Sequence, residues 1–449
     1  MNKIIFQVIL SVLPIIAFGA NDKDTIMYDQ FAFELDLVNK TAKTIYIPLW
    51  PYDENLVIVS EVPYKGEIYK VTTIGDGAFH AYPHLKTVTI PNSVTYIGKE
   101  AFRGCTGLTS VTLSNNLDSI GICAFQYCSG LLSIEIPNSV TCIGAYAFHR
   151  CSSLTSITIP SSVKYIRDTA FAECSTLSSI TIPNGVLSIG RGVFSGCSSL
   201  TTLVIPSSVT YIGGGITTYD INLKSISVEE GNRYYDSRDN CNAIIETATN
   251  KLVSGCMNTF IPNNVVTLGI SCLEGITSLT SIEIPNTVTT IENFAFYGCS
   301  GLTSINLPNS LTTIHENVIY GCNSLTEITI PKSVTYIGYN AFYCDNLRQV
   351  VSLIEKPTDP YDLFSSNTLS FGTLYVPVGT KDEYKKARAW RGFKNIIEGT
   401  PAGVNSISLD EQITEATRFT LDGKRQIYPK KGLNIIRYSN GSVKKKIEK

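Results

Sequence analysis

The chain has 449 residues, of which 43% are hydrophobic and only 16% charged, with a formal net charge of -2 and a pI near 6.2. That length can bury a large core, and the near-neutral balance gives no general pull toward nucleic acid, which speaks against nucleic-acid binding. The charge is sparse for a compact globule, where about 25% is usual, so the surface must be clad in something else; here it is Ser and Thr.

The first element in the chain reads as an export signal over residues 1–20. Lys3 supplies the basic start, Ile4 to Phe18 the apolar stretch, and Ala17-Phe18-Gly19 the small residues for cleavage after Gly19 or Ala20. The stretch is short for a membrane span and no stop-transfer charges come after it, so the mature chain is expected to have no transmembrane segment. No cysteine precedes Cys105, so a lipid anchor is not indicated. Residues 21–70 alternate aromatic and polar residues, as in Phe31-Ala-Phe33-Glu-Leu35, and read as a β cap over the open end of the region that begins at residue 71.

From residue 71 to 350 a 23-residue motif recurs, marked by Ile-Pro or its equivalent at Ile90, Leu113, Ile136, Ile159, Ile182 and Ile205, then Ile261, Ile284, Leu307 and Ile330. Such self-similarity is the signature of a solenoid. In one unit, Leu154, Ile157 and Ile159 follow an L-x-x-I-x-I spacing that puts the two isoleucines on one side of a short strand and Thr158 toward water. Val163 to Ile166 gives a second extended piece, and Ala170-Phe171 with Cys174 closes the coil as a short helical turn. Each unit offers apolar side chains worth roughly 1.5 to 3 kcal/mol apiece to a core that exists only when its neighbours are present. Cys105, Cys128, Cys151, Cys174 and Cys197 stand one repeat apart, as do Cys299 and Cys322. Stacked turns about 4.8 Å apart hold such side chains parallel and beyond disulfide Cβ spacing, so they read as small buried apolar residues.

Between Ile205 and Ile261 there is room for one ordinary unit and one enlarged unit, placed at 228–260. A projecting hairpin is expected there, from Ala243-Ile-Ile-Glu-Thr247 and Lys251-Leu-Val-Ser254. Arg233, Tyr234, Tyr235 and Arg238 bring the residue types enriched at binding hot spots to this one break in a regular wall, and are the candidate binding residues. The competing reading is that Tyr234 and Tyr235 pack the hairpin against the solenoid. The acids Glu229, Glu230, Asp236 and Asp239 lack an EF-hand spacing and read as solvated.

After the repeats, Thr373-Leu-Tyr-Val-Pro377 leads into a Thr380-Lys-Asp-Glu383 capping box, with Trp390, Phe393 and Ile396 next in the chain. Residues 351–399 thus read as a C-terminal α/β cap, and 404–449, with turn signals at Asp422-Gly423 and Asn440-Gly441, as a small all-β tail.

The segments Ile90-Pro-Asn-Ser-Val-Thr-Tyr-Ile-Gly98, Ala101-Phe-Arg-Gly-Cys105 and Ile330-Pro-Lys-Ser-Val-Thr-Tyr-Ile-Gly338 resemble the BspA-like leucine-rich repeat surface proteins of Bacteroidetes. The resemblance implies a right-handed solenoid with a parallel β-strand and a short helical turn per repeat, displayed on the cell surface and serving adhesion. The tail, with Lys431-Gly-Leu-Asn-Ile-Ile436, resembles the C-terminal sorting domains of Bacteroidetes exported proteins, although Asn434 stands where those often carry an aromatic residue; the alternative is a solvated basic tail.

Catalytic chemistry is not evident. His80 and His84 are four apart but Pro83 intervenes and no Glu follows His80; no G-x-S-x-G elbow, Walker loop or paired carboxylates occur. No catalytic residue, cofactor or metal site is therefore expected. The expected function is a secreted, noncatalytic binding protein whose partner is an extracellular protein or glycan. The alternative is a rigid spacer of roughly 50 Å at about 4.8 Å per turn.

Overall fold

The computed structural model describes residues 23–47 and 53–401, and in the tail the backbone of 415–419, 425–426, 432–438 and 443–448. The export signal expected over 1–20 lies outside the described residues. The chain divides into two compact units, Met1–Ile397 and Glu398–Lys449.

In the first unit each 23-residue repeat contributes one rung to each of three columns, and the sequence pattern shows why. In strands such as Ser133–Glu135 and Ser156–Thr158 the middle isoleucine is buried and its two neighbours are exposed, the period-two alternation of a one-faced strand. These strands pair in parallel, Ile134 opposite Ile157. A second column of two-residue strands, including Tyr96–Ile97, Ser119–Ile120, Cys142–Ile143 and Tyr165–Ile166, runs as one parallel ladder up to Tyr211–Ile212. The glycine after the isoleucine suits close stacking in most units, although Arg167, Glu292 and His315 fill the same slot in three. A Cβ on Gly121 would lie 2.3 Å from the Ile97 carbonyl oxygen.

The third column, expected as a short helical turn, is built instead from successive non-helical turns. Two residues in each have left-handed backbone, for example Glu100 and Gly104, Cys123 and Tyr127, Tyr146 and Arg150, and Thr169 and Glu173. That geometry breaks the helical run and releases alternate N–H groups to the next unit, so Glu100, Phe102 and Gly104 donate to the carbonyls of Ile122, Ala124 and Gln126. Inside this column Phe79, Phe102, Phe125, Phe148, Phe171 and Phe194 stack face to face, their centroids 5.1 to 6.1 Å apart. Each ladder thiol donates to a carbonyl of the preceding unit, a phenylalanine's in most, as Cys128 Sγ does to Phe102 at 3.1 Å, and Leu273's for Cys299. Burial pushes the Cys105 and Cys174 thiols up to about 12.

At the N-terminal end Lys23–Tyr28, Phe31–Asp36 and Thr41–Ile45 form an antiparallel meander whose last strand pairs in parallel with Glu67–Ile74, the start of the two-residue ladder. At the other end Glu327–Ile330, Gln349–Ser352, Thr373–Val376 and Asn395–Glu398 form a four-stranded sheet. Two short helices, Ser366–Phe371 and Lys381–Lys386, accompany it; Tyr384 of the second helix and Trp390 after it are fully buried. In the second unit Glu415–Phe419, Arg425–Gln426, Gly432–Tyr438 and Val443–Glu448 form an antiparallel sheet of four strands.

Candidate functional site

The enlarged unit is the main irregularity of the first unit, and its hairpin does not project. Ala243–Glu246 and Lys251–Gly255 pair antiparallel, and the second strand then takes a rung of the ladder by pairing in parallel with Thr267–Leu268. Its side chains alternate between two apolar cores: Ile244 and Val253 enter the first, Ala243, Ile245 and Leu252 the second. The hairpin is thus an internal wall. The turn column passes beside it, since the Tyr219 N–H donates to the Glu274 carbonyl at 3.1 Å across 55 residues of sequence.

The four candidate binding residues separate into two pairs. Tyr235 is 4% exposed, and its hydroxyl accepts the buried Ile212 N–H at 2.9 Å, replacing the carbonyl that a regular rung would supply. Arg238 grips Asp236 through Nε and Nη2 at 2.7 and 2.6 Å and reaches Asn250 Oδ1 at 2.7 Å. These bonds fix the loop. Arg233 and Tyr234 face solvent, Tyr234 at 51% exposure, and only this pair is free to meet a partner. Nor do the nearby acids converge on a cation, because Glu229 accepts the Ser207 N–H and Asp236 is held by Arg238. Among the described residues no three His, Cys, Asp or Glu side chains are grouped as metal ligands.

A second candidate region lies on the wall of exposed hydroxyls. Asn115, Ser133, Glu135, Asn138, Ser156 and Thr158 line a depression over the strands Ser133–Glu135 and Ser156–Thr158. Glu135 is the one charge in it. Two outward columns flank the buried isoleucine of these strands, Ser133 and Ser156 in one and Glu135 and Thr158 in the other, as the L-x-x-I-x-I spacing implies. What the sequence did not reveal is that other hydroxyls are structural: Ser139, Ser162, Ser208, Ser310 and Ser333 each donate to a carbonyl 22 residues earlier, at 2.7 to 2.8 Å. The recurring serine of the I-P-x-S-V motif is the signal that could have shown it.

Sequence reasoning also passed over Asp220, which stands in the cysteine slot of its unit, while Thr217 stands in the phenylalanine slot. Thr217 bonds to the Ser254 hydroxyl at 2.7 Å and the Gly255 carbonyl at 3.0 Å. Asp220 is 1% exposed, lies against the Gly196 and Cys197 backbone, and neither carboxyl oxygen has a hydrogen bond of good geometry. Burial therefore drives its pKa well above the ordinary carboxylate range.

Residues 72–161, 120–243 and 250–369 match the profile of the BspA type leucine rich repeat region, in six copies. Among solved structures, a leucine rich cell surface protein from Faecalibacterium prausnitzii is 26% identical, with a TM-score of 0.56 over 87% of this chain and 97% of that one. The pneumococcal vaccine antigen PcpA is 20% identical with a TM-score of 0.59 over 86% and 99% of the two chains, and a leucine-rich repeat protein from Bacteroides ovatus is 24% identical with a TM-score of 0.53 over 85% and 100%. These last two establish likeness of fold. A search of curated proteins finds no match.

Proposed function

Because the chain belongs to the BspA-type leucine-rich repeat proteins, we propose that it is an exported, noncatalytic binding protein of the cell surface or its surroundings, adhesin-like, recognising an extracellular protein or glycan through its solenoid surface. The observation that carries this reading is the split of every repeat into buried apolar and exposed polar positions. Inward residues are committed to stacking, so chemical variety is carried by outward positions: the hydroxyl wall, Arg233 and Tyr234, and exposed tyrosines such as Tyr211 and Tyr336. The similar Faecalibacterium prausnitzii protein is described as a cell surface protein, which supports the placement outside the cell. No helix among the described residues is long and apolar enough to cross a membrane.

The test is an array of extracellular-matrix proteins and oligosaccharides probed with the full chain. Saturable binding that is lost on changing exposed wall residues supports the reading, and no binding across both panels opposes it. A rigid spacer is the second reading, favoured by the uniformity of the hydroxyl columns. It requires that the tail sheet at Glu415–Glu448 do the work, so a chain lacking the tail would separate the two.

A further inference from the structure

The two-residue ladder of the second half ends at Tyr336–Ile337. One repeat further on the sequence reads Thr358-Asp-Pro-Tyr-Asp362, and Pro360 has no N–H to give to another rung. The two segments nevertheless lie in stacking register, because Phe342 bridges Phe364 in parallel. A shallow cleft is left between them, lined chiefly by Tyr336, Gly338, Tyr339, Pro360, Tyr361 and Asp362. Its three tyrosines are 49%, 44% and 64% exposed in chain order.

Two of these rings, Tyr336 and Tyr361, are held in place. The Arg388 guanidinium sits 4.2 Å from the Tyr361 ring centroid, and His315 packs against Tyr336 in an edge contact at 5.8 Å. The far lip is tied to the end of the unit, since Trp390 Nε1 donates to the Thr358 carbonyl at 2.7 Å and the Ala389 N–H donates to Asp359 Oδ1 at 3.1 Å. Binding would therefore order few side chains, which lowers its entropic cost.

We propose that this cleft is a carbohydrate site that takes a neutral pyranose unit of an extracellular glycan; the proposal rests on the reading of the chain as a binding protein and gives that reading a place and a ligand class. A tyrosine offers an apolar ring ending in a hydroxyl, which matches a sugar ring with one C–H face and a rim of hydroxyls. The Asp362 carboxylate is an acceptor for those hydroxyls, and its charge is offset by the Arg388 guanidinium against Tyr361, which suits a neutral sugar. A protein partner fits less well. A standard protein interface takes about 20 to 30 residues a side, whereas seven residues line this cleft.

The experiment uses the full chain on an array of oligosaccharides ending in neutral hexoses or N-acetylhexosamines, printed beside deglycosylated extracellular-matrix proteins. The expected result is saturable binding to a neutral glycan, weakened about ten-fold or more by Tyr361→Ala and by Asp362→Asn. Val38→Ala, in the N-terminal cap, leaves that binding unchanged. All three positions are exposed, so the thermal transition stays in place and a folding defect is not confused with a binding one. Glycan binding that survives Tyr361→Ala overturns the site. Binding to matrix proteins alone overturns the sugar while leaving the binding-protein reading intact, and binding to neither panel overturns both.

Discussion

Phe102 serves three repeats at once. Its ring stacks between Phe79 and Phe125, its N–H donates to the Ala124 carbonyl, and its own carbonyl accepts both the Cys105 N–H and the Cys128 thiol. Phe148 is placed in the same way, with rings at 5.5 Å on both sides. Phe148→Ala should therefore cost about 3 to 5 kcal/mol, measured by denaturant unfolding; a loss under about 1 kcal/mol would deny the column its role. The cysteines' burial was legible from their spacing, but their use as donors was not, because a thiol's partner depends on where the neighbouring coil puts its carbonyls. Of the 13 free cysteines only Cys123 and Cys142 are not buried. A native thiol titration should thus label no more than these two until the chain is unfolded. Asp220 interrupts the same slot. Its folded pKa lies above the ordinary 3.8, so the native state holds a proton that the unfolded chain releases. The stability tied to that proton is whole below about pH 3.8 and is lost as pH rises through the folded value. The neighbouring Cys197 thiol is itself pushed up by burial and stays neutral, so it brings no compensating charge. The stability advantage of Asp220→Cys over wild type should accordingly widen between about pH 4 and pH 8. A constant gap would mean that Asp220 is not the titrating group.

At the scale of the element, period and alternation fixed where strands fall, since both depend on which side chains need burial. The hairpin's strands were equally legible at Ala243–Thr247 and Lys251–Ser254. Their position was not, because a strand buried on both faces reads like any apolar run, and only three-dimensional stacking shows that Ile244 and Ile245 enter different cores. The same limit applies to the candidate site: Arg and Tyr were found by type, but Tyr235 and Arg238 proved to be fasteners and Arg233 and Tyr234 exposed. Tyr235→Phe leaves the buried Ile212 N–H without its acceptor and should cost about 1 to 3 kcal/mol, while Tyr234→Ala should stay within about 0.5 kcal/mol. Equal Tm changes in the two variants would contradict this division of roles.

Across the first unit, two cores meet at the hairpin, so damage in one need not spread evenly. In Phe148→Ala, hydrogen exchange should rise first in the units flanking residue 148 and last beyond Leu268, whereas uniform loss of protection would show a single cooperative block. The repeat architecture itself was legible because each unit restates the same burial pattern. The cleft at Tyr336 and Tyr361 was not, since it arises where the pattern stops and Pro360 ends a ladder. The central claim is that inward positions make the fold and outward positions make the function. Its most direct measurement is a substitution scan of the full chain displayed on cells, scored separately for folding and for capture of the glycan or matrix protein that the array identifies. The expected result is folding-sensitive positions recurring every 23 residues at the buried slots, with capture-sensitive positions confined to exposed residues of a few adjoining units. Capture that depends on buried slots alone would contradict it.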